Sequence, residues 1–242
     1  MLIEIYNAIL YQPLLNLLVF FYNVIPGHDV GIAIILLTIF IKVILSPFFV
    51  QSIKAQKRMQ ILQPKIDELK EKYKGQQDKL GPALMELYKK EKINPLSSCL
   101  PLLLQLPFLI AVYQVFSAGL SSGSLEMIYP FISNPGTINP VSFGLINLSH
   151  PSSVMAVLAG AAQFWQSKMM MAKHSNKSSA GGMAGQMGAQ MTYIMPLVTI
   201  FIGTRLPAGL TLYWFLMTLL SALQQLLVFK KMDKPRTTFF DK

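Results

Sequence analysis

The chain has 242 residues, of which 52% are hydrophobic and 13% charged, with a formal net charge of +10 at pH 7. A soluble domain of this length would carry too few charged side chains to cover its surface, so part of its solvent is lipid. The single cysteine, Cys99, excludes an intramolecular disulfide and argues against a thiolate metal site, and no cofactor is expected.

Residues 1–28 contain no Lys or Arg, and Glu4 sits where a signal or transit peptide would carry positive charge. The polar residues Glu4, Gln12, Asn16 and Asn23 share one side of a helix interrupted by Pro13. This pattern predicts an amphipathic helix lying in the outer membrane interface, with a sixth crossing as the alternative.

Three apolar runs follow at 31–50, 99–118 and 208–229, the first with one charge and the others with none. Each meets the ~20 residues that a helix rising ~1.5 Å per residue needs to cross a ~30 Å hydrocarbon core. Two shorter runs, 153–171 with Lys168 near its end and 191–204, bring the predicted crossings to five.

Between the first two crossings the chain becomes charged. Leu62, Ile66, Leu69 and Tyr73 recur at helical spacing, and Leu80, Leu84 and Leu87 repeat the pattern beyond Gly75. Two helices packed face to face, a hairpin over 51–94, are expected. Its eleven basic and six acidic residues between 51 and 96 suit a solvated face, anionic headgroups, an acidic partner or ribosomal RNA. The second crossing holds Pro101 and Pro107, with Gln105 between them and Gln114 beyond. Prolines at 130, 135, 140 and 151 predict an irregular connection, and the Ser, Gly and Met-rich stretch 173–190 a flexible linker.

Basic residues set the orientation. Residues 51–96 hold eleven, 168–177 three and 230–242 five, whereas 1–30 and 119–152 hold none. The positive-inside rule places the N-terminus outside and the C-terminus in the cytoplasm. The net charge then reflects topology, and DNA is not an expected partner. The predicted organisation is an all-α membrane protein: an interfacial helix at 1–28, a first crossing at 29–50, the cytoplasmic hairpin at 51–94, four further crossings within 95–229, and a basic tail at 230–242.

Lys42 is the twelfth residue of its apolar run. A lysine at mid-membrane costs about 2.5–3.5 kcal/mol, so such residues usually face a protein interior or a water-filled cavity. No acidic residue falls within the apolar runs to pair with it, Glu4, Asp29 and Glu126 lying in the outer regions. Snorkelling is disfavoured, because helical side chains lean toward the helix N-terminus, away from the nearer, cytoplasmic surface. The expected setting is a hydrated recess shared with Thr38, one turn earlier, and lined from other helices by Gln105, Gln114, Gln163, Tyr213 and Trp214.

Four stretches carry a resemblance to a known family: ILLTIFIKVILSPF from 35, MQILQPKIDELKEKYKG from 59, NPLSSCLPLLLQLPFLIAVYQVF from 94, and LPAGLTLYWFLMTLLSALQQ from 206. In order and spacing the chain resembles the YidC-type membrane protein insertases of the oxidase-assembly superfamily. The resemblance implies a five-helix core around a hydrophilic groove that is open to the cytoplasm and to lipid, in the bacterial inner membrane. It implies nascent membrane proteins as partners, beside the anionic lipids expected at the basic hairpin, and leaves the Sec translocon, the ribosome and signal-recognition components open. The family's groove arginine falls at Lys42 and its threonine at Thr38, the polar position of the third crossing at Gln163, and the groove aromatic at Trp214 beside Tyr213. Lysine keeps the charge but lacks the planar fork that binds a carboxylate bidentately.

Two other classes compete. A small-solute channel or transporter would use Lys42 to attract an anion, but the chain shows no internal repeat of the kind common in transporters. An enzyme is not expected: His28, His150 and His174 lie in predicted loops, and no nucleophile with a base is recognisable.

Overall fold

The computed structural model describes residues 2–94, 100–119, 127–170 and 190–233. The expectations for Cys99, most of the 173–190 linker and most of the basic tail lie outside those residues.

The N-terminal segment is one uninterrupted helical stretch: α1 (Leu2–Tyr6), a π-helical turn (Asn7–Tyr11) and α2 (Gln12–Val24). Pro13 lies inside this stretch, just after the π-helical turn, and does not interrupt the helix as the sequence reading expected. Leu14, Leu15, Leu18 and Val19 are buried. The polar side chains bind protein. Asn16 Nδ2 donates to the carbonyl of Met127 (3.0 Å), and its Oδ1 accepts from the Tyr129 N–H (2.6 Å). Asn23 donates to the Ser133 carbonyl, the Tyr22 hydroxyl accepts from the Asn139 N–H, and the Tyr6 hydroxyl donates to Gln114 Oε1. From Tyr6 to Asn23, these partners belong to the late part of α5 (Leu100–Gly119) or to the segment that follows it.

The helix α3 (Val30–Lys72) has 43 residues. At ~1.5 Å per residue it is about 64 Å long, roughly twice the hydrocarbon thickness. The boundary expected after residue 50 falls inside it. Beyond Val50 the chain supplies good helix formers, and Pro47 and Pro64 each remove one backbone bond without ending the helix. A turn at 73–76 leads to α4 (Gln77–Lys90), and a Lys65–Glu91 ion pair holds the end of α4 to α3.

α6 (Ser153–Met170), α7 (Met195–Gly203, preceded by a π-helical turn at Gln190–Ile194) and α8 (Ala208–Asp233) form a packed group. α6 meets α7 closely at Gly160, where a Cβ would lie 2.4 Å from Ile200 Cγ1 and 3.0 Å from the Pro196 carbonyl oxygen. Small residues at such crossings let membrane helices gain dispersion contact, since lipid supplies no hydrophobic drive between them. α3 and α8 run parallel, because Lys42, Ser46 and Lys57 meet Ser221, Gln224 and Asp233 in the same order.

Among the described residues, three stretches are long and apolar enough to cross a membrane: Ile3–Val24, Val30–Lys72 and Ala208–Asp233. Gln105–Phe116 and Thr192–Gly203 are apolar but shorter. The chain is a mostly helical membrane protein, with one small addition to the expected all-α class. The connection over 127–152 contains an antiparallel ribbon of β1 (Val141–Ser142) and β2 (Ile146–Asn147).

This connection ties several helices together at one end of the bundle. Asp29, the N-cap of α3, accepts from the Gly31 and Ile32 N–H groups and also from the Ser142 hydroxyl and the Phe143 N–H. Gly31 has no side chain because Ser142 occupies its place: a Cβ would lie 1.9 Å from Ser142 Oγ. Burial raises the Asp29 pKa, but its four hydrogen bonds outweigh this and hold it below the ordinary carboxylate value. At α8, the Ala208 and Gly209 N–H groups donate to the His150 and Leu148 carbonyls, satisfying donors that a helix start leaves free.

Candidate functional site

Lys42 is 7% exposed. Its ammonium donates to Ser221 Oγ at 2.7 Å and lies 3.8 Å from the centroid of the Phe49 ring. Ser221 is ready to accept because its own hydroxyl donates to the Met217 carbonyl one turn back. The sequence reading found no carboxylate to pair with Lys42, and none does so among the described residues. It also expected the side chain to lean toward the start of α3. The ammonium instead meets the ring of Phe49, seven residues further along, and the hydroxyl of Ser221, so a hydroxyl and an aromatic face compensate its charge.

Phe49 and Ser221 also border a cavity of about 270 Å³. α3 contributes Phe49, Ile53 and Gln56; α5 contributes Gln105, Leu106 and Leu109; and α6 contributes Gln166. α8 supplies Tyr213, Trp214, Met217, Thr218 and Ser221. Apolar walls alternate with amide, hydroxyl and indole groups, and among the described residues no carboxylate lines the space. Its lining offers hydrogen-bond donors and acceptors, and the adjoining ammonium contributes a positive potential.

The expected site residues divide into two sets. Gln105, Tyr213 and Trp214 line the cavity, with Gln105 Nε2 donating to the Tyr213 hydroxyl at 2.9 Å. Lys42 stands at its edge through Ser221 and Phe49. Thr38, Gln114 and Gln163 have other partners. The buried Thr38 hydroxyl donates to the Ile34 carbonyl of its own helix. Gln114 is exposed and bonded to Tyr6. Gln163 Oε1 accepts from Thr199 Oγ1 at 2.6 Å, joining α6 to α7.

Sequence reasoning missed Ser221, Phe49, Gln56, Gln166 and Thr218. The spacing of Gln163 and Gln166, one turn apart, was a usable signal for the second of them. Nearby, Gln224 Nε2 donates to Ser46 Oγ at 2.9 Å, extending the polar seam between α3 and α8. Further along it, Lys57 pairs with Asp233 and lies over the Phe229 ring.

Comparison with known proteins assigns the chain. Residues 20–235 match the family model described as 60Kd inner membrane protein. The membrane protein insertase YidC of Fusobacterium nucleatum is 33% identical over 224 residues, which cover 92% of this chain and 98% of that protein. The YidC of Clostridium tetani is 36% identical over 210 residues, 86% of this chain and 85% of its own length. The YidC of Geotalea daltonii is longer: 34% identity over 222 residues covers 91% of this chain but 37% of that protein. With its long apolar helices, the chain is a multi-pass protein of the bacterial inner membrane. It belongs to the 60Kd inner membrane protein family, whose members include the YidC membrane protein insertases.

Proposed function

We propose that this chain inserts other membrane proteins into the bacterial inner membrane by way of the cavity between α3, α5, α6 and α8. The observation that carries the reading is Lys42: a buried ammonium held by a hydroxyl and a ring beside a polar cavity, with no carboxylate partner among the described residues. A family of insertases and a cation without its own counter-ion fit a transient negative substrate.

The proposed arrangement has five crossings, a cytoplasmic hairpin formed by the distal half of α3 with α4, and the N-terminus outside with the C-terminus inside. The stretch 2–24 lies along the outer interface. Its contacts all along its length with the end of α5 and the 127–139 segment support that placement over a sixth crossing. The basic hairpin and tail would face anionic headgroups.

In the mechanism, the polar tail of a nascent protein enters the cavity from the cytoplasm. Amide and hydroxyl groups of Gln56, Gln105, Gln166, Tyr213 and Thr218 replace part of its water. Lys42 attracts a carboxylate on the tail, while the apolar segment moves along the lipid-facing side. Partition of that segment into lipid, at about 25 cal/mol per Å² of apolar surface, drives the step, and the membrane potential acts on its charges. No nucleotide is consumed.

The test is insertion of a short single-spanning protein with an acidic N-terminal tail into liposomes containing native, Lys42→Arg or Lys42→Ala protein. Native and Arg forms should translocate the tail, and the Ala form should lose efficiency for acidic tails more than for neutral ones. Equal insertion by all three would remove Lys42 from the mechanism. Folded native protein that inserts nothing, yet releases a trapped anion, would favour the transporter reading instead.

A further inference from the structure

The β1–β2 ribbon presents apolar side chains that the insertion mechanism does not use. Phe143 is 60% and Leu145 85% exposed at its tip. Phe143 adopts φ 53°, uncommon for a residue with a side chain, and its N–H is fixed to the Asp29 carboxylate. The tip is therefore held in place, with its apolar groups turned away from the protein.

The anchor point fixes its height. Asp29 is the N-cap of α3, whose apolar run begins at the next residue, so the ribbon sits where α3 enters the hydrocarbon. The surrounding chain fits a lipid boundary rather than water. Residues 127–151 contain no Asp, Glu, Lys or Arg, an unusual composition for 25 residues of solvated connection. Phe and Leu side chains exposed at the membrane boundary gain by burial a few ångströms into the headgroup and acyl region. We infer that the Phe143–Leu145 tip is a lipid anchor: it inserts into the leaflet at the N-terminal end of α3 and holds that end of the bundle at the membrane surface.

The test is spin labelling of Leu145→Cys in a Cys99→Ser background, reconstituted into phosphatidylethanolamine and phosphatidylglycerol vesicles. Collision with oxygen, which partitions into lipid, is compared with collision with a water-soluble nickel chelate. Leu197→Cys on the exposed apolar face of α7 supplies the lipid reference, and Gln77→Cys at the exposed start of α4 the water reference. The anchor requires that the label at 145 collide preferentially with oxygen, as at 197. A nickel response matching that at 77 overturns it. Exclusion of both probes also overturns it, since the tip would then be covered by protein, such as a second copy of the chain. Phe143→Cys gives the same reading if the first variant does not fold.

Discussion

Lys42 on α3 and Ser221 on α8, 179 residues apart in sequence, are joined by a 2.7 Å hydrogen bond in the polar seam between the two helices. A hydrogen bond to a charged group contributes about 1.5–3 kcal/mol. Ser221→Ala should lower stability by that order, because the ammonium loses its hydroxyl partner. In a Lys42→Met background the same substitution should cost much less, giving a coupling of about 1–2 kcal/mol. Thermal unfolding in detergent of the four proteins measures it; additive effects would show that the bond contributes nothing.

A second prediction concerns the N-terminal stretch. Asn16 is 2% exposed and bonds both Met127 and Tyr129. Asn16→Leu leaves the Tyr129 N–H without its partner, at about 1–3 kcal/mol, while the Met127 carbonyl keeps the Gln12 amide at 3.3 Å. Hydrogen exchange should rise at residues 127–139 while α8 stays protected. Unchanged exchange there would mean that water replaces Asn16 without cost, as it would for a freely solvated polar face.

These two asparagine and lysine sites show what a sequence discloses. The apolar runs and the isolated charge at 42 were legible because lipid imposes length and neutrality on each helix separately. Of the faces predicted to pack beyond the membrane, Leu62 and Ile66 are buried, whereas Leu69, Tyr73, Leu80, Leu84 and Leu87 are half-buried. Which polar residue faces the cavity was not legible. Gln105 and Gln163 both interrupt apolar helices, but one lines the cavity and the other bonds Thr199. That choice depends on the rotation and register of helices far apart in the chain. Ser221 was hidden likewise, because a serine within an apolar helix usually bonds its own backbone, and this one does so as well as binding Lys42. The lean of Lys42 failed as a guide because a general rotamer preference is weaker than a specific hydroxyl and ring.

The α6–α7 crossing supplies a third prediction. Gly160→Ala places a methyl against Ile200 and the Pro196 carbonyl. The side chain can move, whereas the carbonyl moves only with the helix. Overpacking of this kind costs about 1–3 kcal/mol. Ile200→Ala in the same chain should recover part of the loss by opening space on one side, and the Pro196 contact should retain the remainder. Full tolerance of Gly160→Ala would mean that the helices separate freely; no recovery would place the whole cost on the backbone contact.

The last prediction uses the sign of the Asp29 shift. Its folded pKa lies below the ordinary value because Ser142, Phe143, Ile32 and Gly31 donate to the carboxylate more strongly than burial opposes it. A depressed carboxylate pKa stabilises the folded state fully above the unfolded pKa, about 3.9 for aspartate. That stability disappears as pH falls through the lower folded value. Asp29→Asn keeps an oxygen that can cap α3 but makes the acceptor neutral, so it should unfold at a lower temperature than the native protein at pH 7, by an amount corresponding to about 1 kcal/mol, the difference between hydrogen bonds to a charged and to a neutral group. The gap should close as acid protonates the native carboxyl, which then resembles the amide. Unfolding temperatures at pH 7 and at pH 3 decide the matter: a gap that persists unchanged in acid would show that Asp29 acts by shape rather than by charge.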